Sequence, residues 1–160
     1  MLRSIARSAA LAAVAVAAAC ATPVMQGGGP RGSAASSSPS NAQGLPTWHG
    51  TLMSKNGSTV VGSTTVRPIS DAGTQATLTL SGATAGGVFP WHVHTGTCAQ
   101  TGGIVGPPTS YTAVAVGADG SGTVVVTLPF ATPTSGAYSV NVHASPSDMG
   151  TIVACADLTS

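Results

Sequence analysis

Three histidines, His92, His94 and His143, lie in two short segments of alternating pattern, and a cysteine follows each segment. The first reads Phe89-Pro90-Trp91-His92-Val93-His94-Thr95-Gly96-Thr97-Cys98; the second reads Tyr138-Ser139-Val140-Asn141-Val142-His143, with Cys155 twelve residues further on. Side chains alternate across a strand, so His92 and His94 share one face and Trp91 and Val93 the other. By the same rule Ser139, Asn141 and His143 share the face opposite Tyr138, Val140 and Val142. The imidazoles therefore leave the core on its polar side. Three of them converging there suit a copper or zinc ion, and copper leads because imidazole sites favour Cu(II) on affinity. The competing reading is a pair of surface histidines on a strand.

The other titratable side chains add little. His49 follows Trp48 at the start of the first strand and reads as a solvated strand-end histidine rather than a fourth ligand. Asp148, five residues after His143, can orient an imidazole by accepting its N–H. The run Pro146-Ser147-Asp148-Met149-Gly150 equally makes that aspartate a turn-former. Met149 is either a soft ligand for Cu(I) or, more commonly for methionine, a core residue. Asp119 and Asp157 read as turn and surface residues. No serine or cysteine nucleophile stands beside a base.

The elements that carry these residues are strands. A short segment from Leu52 ends at Asn56-Gly57, the commonest hairpin-turn pair. Val60 to Arg67 follows, stopped by Pro68; Asp71-Ala72-Gly73 is a turn. Ala76, Leu78 and Leu80 alternate with Thr77 and Thr79, and Val124, Val126 and Leu128 with Thr123 and Thr127. Tyr111 to Val116 reads as a strand, as do Tyr138 to His143 and Ile152 to Leu158. Residues 98–110 read as a polar loop containing Gly and Pro but no His, Asp or Glu. Helical periodicity is absent from this region, and there is no internal repeat. About eight short antiparallel strands with regular turn signals predict an all-β Greek-key sandwich or flattened barrel over residues 48–160.

Upstream, Arg3 and Arg7 precede an apolar run from Ala9 to Ala19, too short to span a bilayer but suited to an export signal. Ala17-Ala18-Ala19-Cys20 resembles a bacterial lipobox, which makes residues 1–21 a signal and Cys20 a lipidation site. Ordinary cleavage near Ala19 or Ala21 is the alternative. Residues 22–47 are rich in Gly, Ser, Pro and Ala, with Arg31 the sole charge. Such a stretch cannot bury enough apolar surface to fold and reads as a tether reaching about 30 Å. The expected location is a bacterial membrane surface facing the periplasm or exterior, or the periplasm itself. An exported chain oxidises its thiols, so Cys98 and Cys155 are expected to pair, with Cys20 the odd one; two unpaired buried cysteines are the alternative.

Residues 48–160 carry Lys55 and Arg67 against Asp71, Asp119, Asp148 and Asp157, and the chain has no glutamate. A domain with no basic patch is a poor fit to nucleic acid, and with no strong field it does not gather a charged substrate.

His92-Val93-His94, Cys98, His143, Asp148, Gly150 and Ala154-Cys155 together resemble the copper/zinc superoxide dismutases over about 70 residues, Phe89 to Leu158. The resemblance implies a Greek-key barrel, His92, His94 and His143 as copper ligands, a Cys98–Cys155 disulfide, and superoxide as substrate. It also marks departures. The family's bridging histidine and remaining zinc ligands have no counterpart in residues 99–110, so zinc binding of the family's kind is not expected. The active-site arginine corresponds to Ile152, and the aspartate behind the metal to Ser147. A more distant likeness, to chordin-type domains, rests on Asn141-Val142-His143. The expectation is an exported, copper-binding, dismutase-like domain with weak or lost activity; the alternative is a non-catalytic copper-binding or structural module.

Overall fold

The computed structural model describes residues 44–160. The signal segment, Cys20 and the tether up to residue 43 lie outside the described residues. Ten strands follow in order: β1 (Trp48–Ser54), β2 (Val61–Ser70), β3 (Gly73–Ser81), β4 (Val88–Phe89), β5 (Trp91–Thr97), β6 (Gln100–Ile104), β7 (Val114–Ala115), β8 (Gly122–Leu128), β9 (Tyr138–Ser145) and β10 (Asp148–Leu158). Among the described residues the one helical turn is the 3-10 turn Pro108–Ser110.

Eight strands form a curled sheet in the order β6-β5-β9-β10-β1-β2-β3-β8, and β4 pairs with β7 beside it. Every pairing is antiparallel. The chain lays down β1, β2 and β3 as a meander. It then crosses to the opposite half for β5 and β6, returns to place β8 beside β3, and crosses again so that β9 and β10 fill the gap between β5 and β1. The sheet stays open between β6 and β8, which makes it a flattened, incomplete barrel, in line with the all-β expectation.

Alternation fills the interior. Leu52, Val66, Leu78, Leu80 and Leu128 point inward from β1, β2, β3 and β8, and Trp91, Val93, Val140, Val142 and Ala154 meet them from β5, β9 and β10. Burying one such large side chain contributes about 2 kcal/mol. The Asn56-Gly57 turn has positive φ at both residues (52° and 75°), the conformation that two-residue hairpin turns of this composition adopt.

Three expectations change. β2 does not stop at Pro68 but runs on to Ser70. The pairing of β1 with β2 begins at Trp48↔Val66, so at Pro68 β2 has only β3 beside it, and a proline is tolerated at such a one-sided stretch. Within the expected strand from Tyr111 to Val116, only Val114 and Ala115 pair. Residues 98–110 are not simply a loop: Gln100–Ile104 form the edge strand β6 against β5. All five are exposed and none is strongly apolar except Ile104, so no burial pattern marked them.

Cys98 and Cys155 are bridged, with Cα atoms 5.9 Å apart across a sequence separation of 57. Closing a loop of that size stabilises by about 4 kcal/mol in the chain-entropy account. Reductant, or Cys98→Ser, should lower the melting temperature of the domain by more than ~10 °C, measured by circular dichroism. An unchanged melt would show that the bridge adds nothing to stability.

Candidate metal centre

The site is built by the pairing of β5 with β9. Trp91 lies opposite Val142, His92 opposite Asn141, Val93 opposite Val140 and His94 opposite Ser139. The His143 amide donates to the Pro90 carbonyl (2.8 Å), which sets His143 diagonally from His92 on the same face. Trp91, Val93, Val140 and Val142 fill the core face, as their alternation requires.

The opposite face is not a solvent face. His92, His94 and His143 are each no more than 8% exposed, and Asn141 is 1% exposed. The surface-histidine alternative therefore fails. Residues 98–111 border this face as a strap, first as β6 beside β5 and then returning to bring Tyr111 against His92. His94 Nδ1 lies 3.0 Å from the Gly102 carbonyl. The Tyr111 ring stands edge-on to His92 at 5.1 Å and to Trp91 at 5.1 Å, and its hydroxyl donates to the Val105 carbonyl (2.6 Å). Burial pushes that phenol well above its ordinary value, so it is a neutral wall.

One ring nitrogen from each of the three histidines lies within 4.8 Å of the others, and this is the one such ligand group among the described residues. His92 Nδ1 and His143 Nε2 are 3.3 Å apart. Two nitrogens bound to one ion in tetrahedral geometry stand about 3.3 Å apart. The Gly102 carbonyl can only accept, so His94 Nδ1 carries a proton, which in the neutral ring leaves the lone pair on Nε2. That Nε2 is buried and has no hydrogen-bond partner, and neither has His143 Nδ1. Leaving a buried polar atom unpaired costs about 1–3 kcal/mol. A cation ligated by His94 Nε2, His92 Nδ1 and His143 Nε2 would remove one of those penalties. The cluster can hold a metal ion; its geometry does not name the metal.

The other candidate residues fall where their types suggest, with two exceptions. His49 is exposed, lies against Thr65 Oγ1 at 3.4 Å, and takes no part in the cluster. Asp148 accepts the Thr151 amide (3.1 Å) as a turn residue and also lies close enough to raise the His143 pKa. Asp119 caps its turn through the Ser121 amide (3.1 Å). Ser147 contacts Ser145 (3.0 Å). Ile152 is the half-buried cross-strand partner of His143. Met149 is an exception: it is 41% exposed, because it sits where the β9–β10 register slips, so it is not a core residue. Asp157 is the second. It is more than a surface residue, since its carboxylate accepts the Cys98 amide (2.6 Å) and holds the start of the strap. Sequence reasoning assigned no role to Tyr111, Gly102 or Asn141. Only Asn141 left a signal, a polar residue on the histidine face of an otherwise valine-rich strand.

A search against protein-family models finds no match, and a search of curated proteins finds none. The likeness described above therefore stands on the motif residues alone.

Burial first, then the neighbouring His143 and His94, lowers His92 from 6.5 to about 4. Burial also lowers His143, with the Met149 backbone and the Asp148 charge partly opposing it. A folded-state histidine held below its ordinary value stays neutral where the unfolded chain has already taken up a proton. Its contribution is complete above pH 6.5, drains away as the pH falls, and levels off below about 4. The melting temperature of metal-free protein should fall across that window, and His92→Gln should flatten the slope. Identical slopes would show that His92 is not held neutral by the fold.

Proposed function

We propose that this chain is an exported copper-binding protein of superoxide dismutase type, with copper held by His92, His94 and His143. The observation that carries this is the buried convergence of three imidazoles, one of them fixed in the tautomer that leaves Nε2 free. Three imidazole nitrogen donors with no thiolate or carboxylate among them suit copper better than a hard cation. The order His-x-His, Cys, His, Cys and the disulfide between those cysteines support the dismutase likeness.

Bound copper would supply a one-electron couple able to oxidise one superoxide and reduce the next. The chain's own residues do only part of what a fast enzyme needs. They bind the ion, exclude bulk water through the strap, and hold His94 in one tautomer. Among the described residues they supply no guanidinium beside the histidines, because Ile152 occupies the corresponding position and Arg67 is committed to Gln75 on β3 (3.0 and 2.6 Å). They supply no further imidazole from residues 99–110 to carry a proton to the departing peroxide. These gaps favour weak activity, and they equally support a second reading, a non-catalytic module that binds copper at the periplasmic or outer face. In either reading Cys20 anchors the chain to a membrane through a lipid, and residues 22–47 tether the domain.

Replacing His92, His94 or His143 by alanine should weaken copper binding by more than the roughly 10–100-fold that loss of an outer partner costs, while His49→Ala changes nothing. Competition with a chelator measures this; equal affinity in wild type and a His92/His94 double variant would sink the assignment. The copper-loaded domain should dismutate superoxide at least about two orders of magnitude more slowly than copper/zinc enzymes with a complete site. A decay assay, with chelator to remove free copper, checks this, and a rate near the diffusion limit would refute it.

A further inference from the structure

We propose that Asn141 is a positioning residue for the metal centre, clamping the strap in the place from which Gly102 orients His94. The proposal rests on the metal-binding reading. Asn141 lies on the histidine face of β9, with His92 as its partner across β5 and Cys155 as its partner across β10. It is 1% exposed. An amide is a poor choice for a buried strand position, where Val or Ile packs better and leaves no polar atom to satisfy.

Both ends of this amide are used. Nδ2 donates to Thr101 Oγ1 at 3.3 Å. The Thr101 hydroxyl proton is directed at the Thr97 carbonyl (3.3 Å), which leaves its oxygen free to accept. Oδ1 stands 2.8 Å from Cys155 Sγ. That sulfur is in the disulfide and carries no proton, so the contact is a carbonyl oxygen against a bridge sulfur. Asn141 thus joins three things that are distant in sequence: the last strand through the bridge, the ligand strand β5 through its ladder, and β6 through Thr101.

Thr101 is adjacent to Gly102, whose carbonyl receives the His94 proton. β6 needs such an anchor. Its five residues are exposed, and its pairing with β5 slips in register between His94 and Gly96. The bridge and Asp157 hold the strap only at Cys98, several residues before Gly102. The ladder to β5 holds Thr101 and Ile104, but Gly102 and Gly103 lie in the slip between those pairs, so without the Asn141 clamp the Gly102 carbonyl can shift away from His94. His94 then loses the acceptor that selects its tautomer, and the lone pair on Nε2 is no longer guaranteed. Outer partners of this kind are worth about 10–100-fold in metal affinity.

Three variants test this: Asn141→Ala, Thr101→Val and the two combined. Thr101 is exposed, so its variant leaves the core untouched and decides the matter if Asn141→Ala does not fold. Each is measured for Cu(II) affinity by chelator competition and, in metal-free protein, for the His94 Nδ1–H resonance by 15N-resolved NMR. Each single variant should lose about 10–100-fold in affinity, and the double variant should lose little more, because both remove one interaction. The His94 N–H should be protected from exchange in wild type and exchange rapidly in the variants. Variants that bind copper as wild type does, with an unchanged His94 signal, overturn the proposal while His92→Ala still reports on the site. A wild-type protein that binds no copper overturns the metal reading instead, and the His94 signal then still decides whether Asn141 positions that ring.

Discussion

The ladder between β5 and β9 is the constraint on which everything else at the site depends. Its register puts Trp91, Val93, Val140 and Val142 on one face and His92, His94, Asn141 and His143 on the other. A slip of one residue in β5 would turn His92 and His94 toward the apolar core and away from His143. The core therefore fixes the ligand geometry. Trp91 pins the register further, since its indole N–H donates to the Thr112 carbonyl (2.8 Å) and its ring packs against Tyr111. Tyr111 also packs edge-on with His92, so one aromatic ring contacts both the core residue and the ligand.

A sheet face with three histidines would ordinarily be wet. Here it is closed by a strap whose composition explains how it can lie so near. Gly96, with φ of 85°, takes up the register slip between β5 and β6, and a side chain at Gly102 would collide with Thr95. With two backbones in close approach, the strap can offer His94 a carbonyl rather than a side chain. The anchors divide the work: the Cys98–Cys155 bridge and Asp157 fasten the beginning, and the Tyr111 hydroxyl bonded to Val105 fastens the end. Burial under this strap holds His92 in its neutral, ligating form well below the ordinary histidine range.

Much of this was legible in the sequence because period-two alternation is a strong local signal. The core strands and the shared face of the histidines follow from it, while the Asn56-Gly57 turn was legible from its residue types. The convergence of the two histidine segments was not local. It could only be an expectation, since nothing in either segment says that β5 and β9 are neighbours. The strap was missed for a different reason. β6 is an exposed edge strand of Gln, Thr, Gly, Gly and Ile, so no face of it is buried and periodicity had nothing to act on. Burial of the histidines was missed with it, because a face looks polar in sequence whether water or backbone covers it. Pro68 misled because a proline marks a missing donor, while β2 at that point has no partner on its β1 side to need one.

The same non-local pairing alters the electrostatic surroundings of the site. Lys55 and Ile152 are far apart in sequence, yet β1 lies against β10 and the Lys55 amide donates to the Val153 carbonyl (2.9 Å). Lys55 consequently lines a small pocket of about 200 Å³ with Asn141, Ile152 and the disulfide. Sequence position alone gave no reason to place a cation on this side of the sheet. Its presence does not restore what an arginine would supply. Lys55 is exposed, and an exposed ammonium on a flexible stem is screened within about 8–10 Å by ordinary salt. A guanidinium presents a planar fork that holds an anion in one orientation; an ammonium acts as a point charge and selects none. Ile152, which lines the same pocket, is the ladder partner of His143 and is apolar, so it adds no charge there. The structure therefore combines a buried histidine cluster that could hold a metal ion with a neighbouring ammonium that is exposed and fixes no orientation.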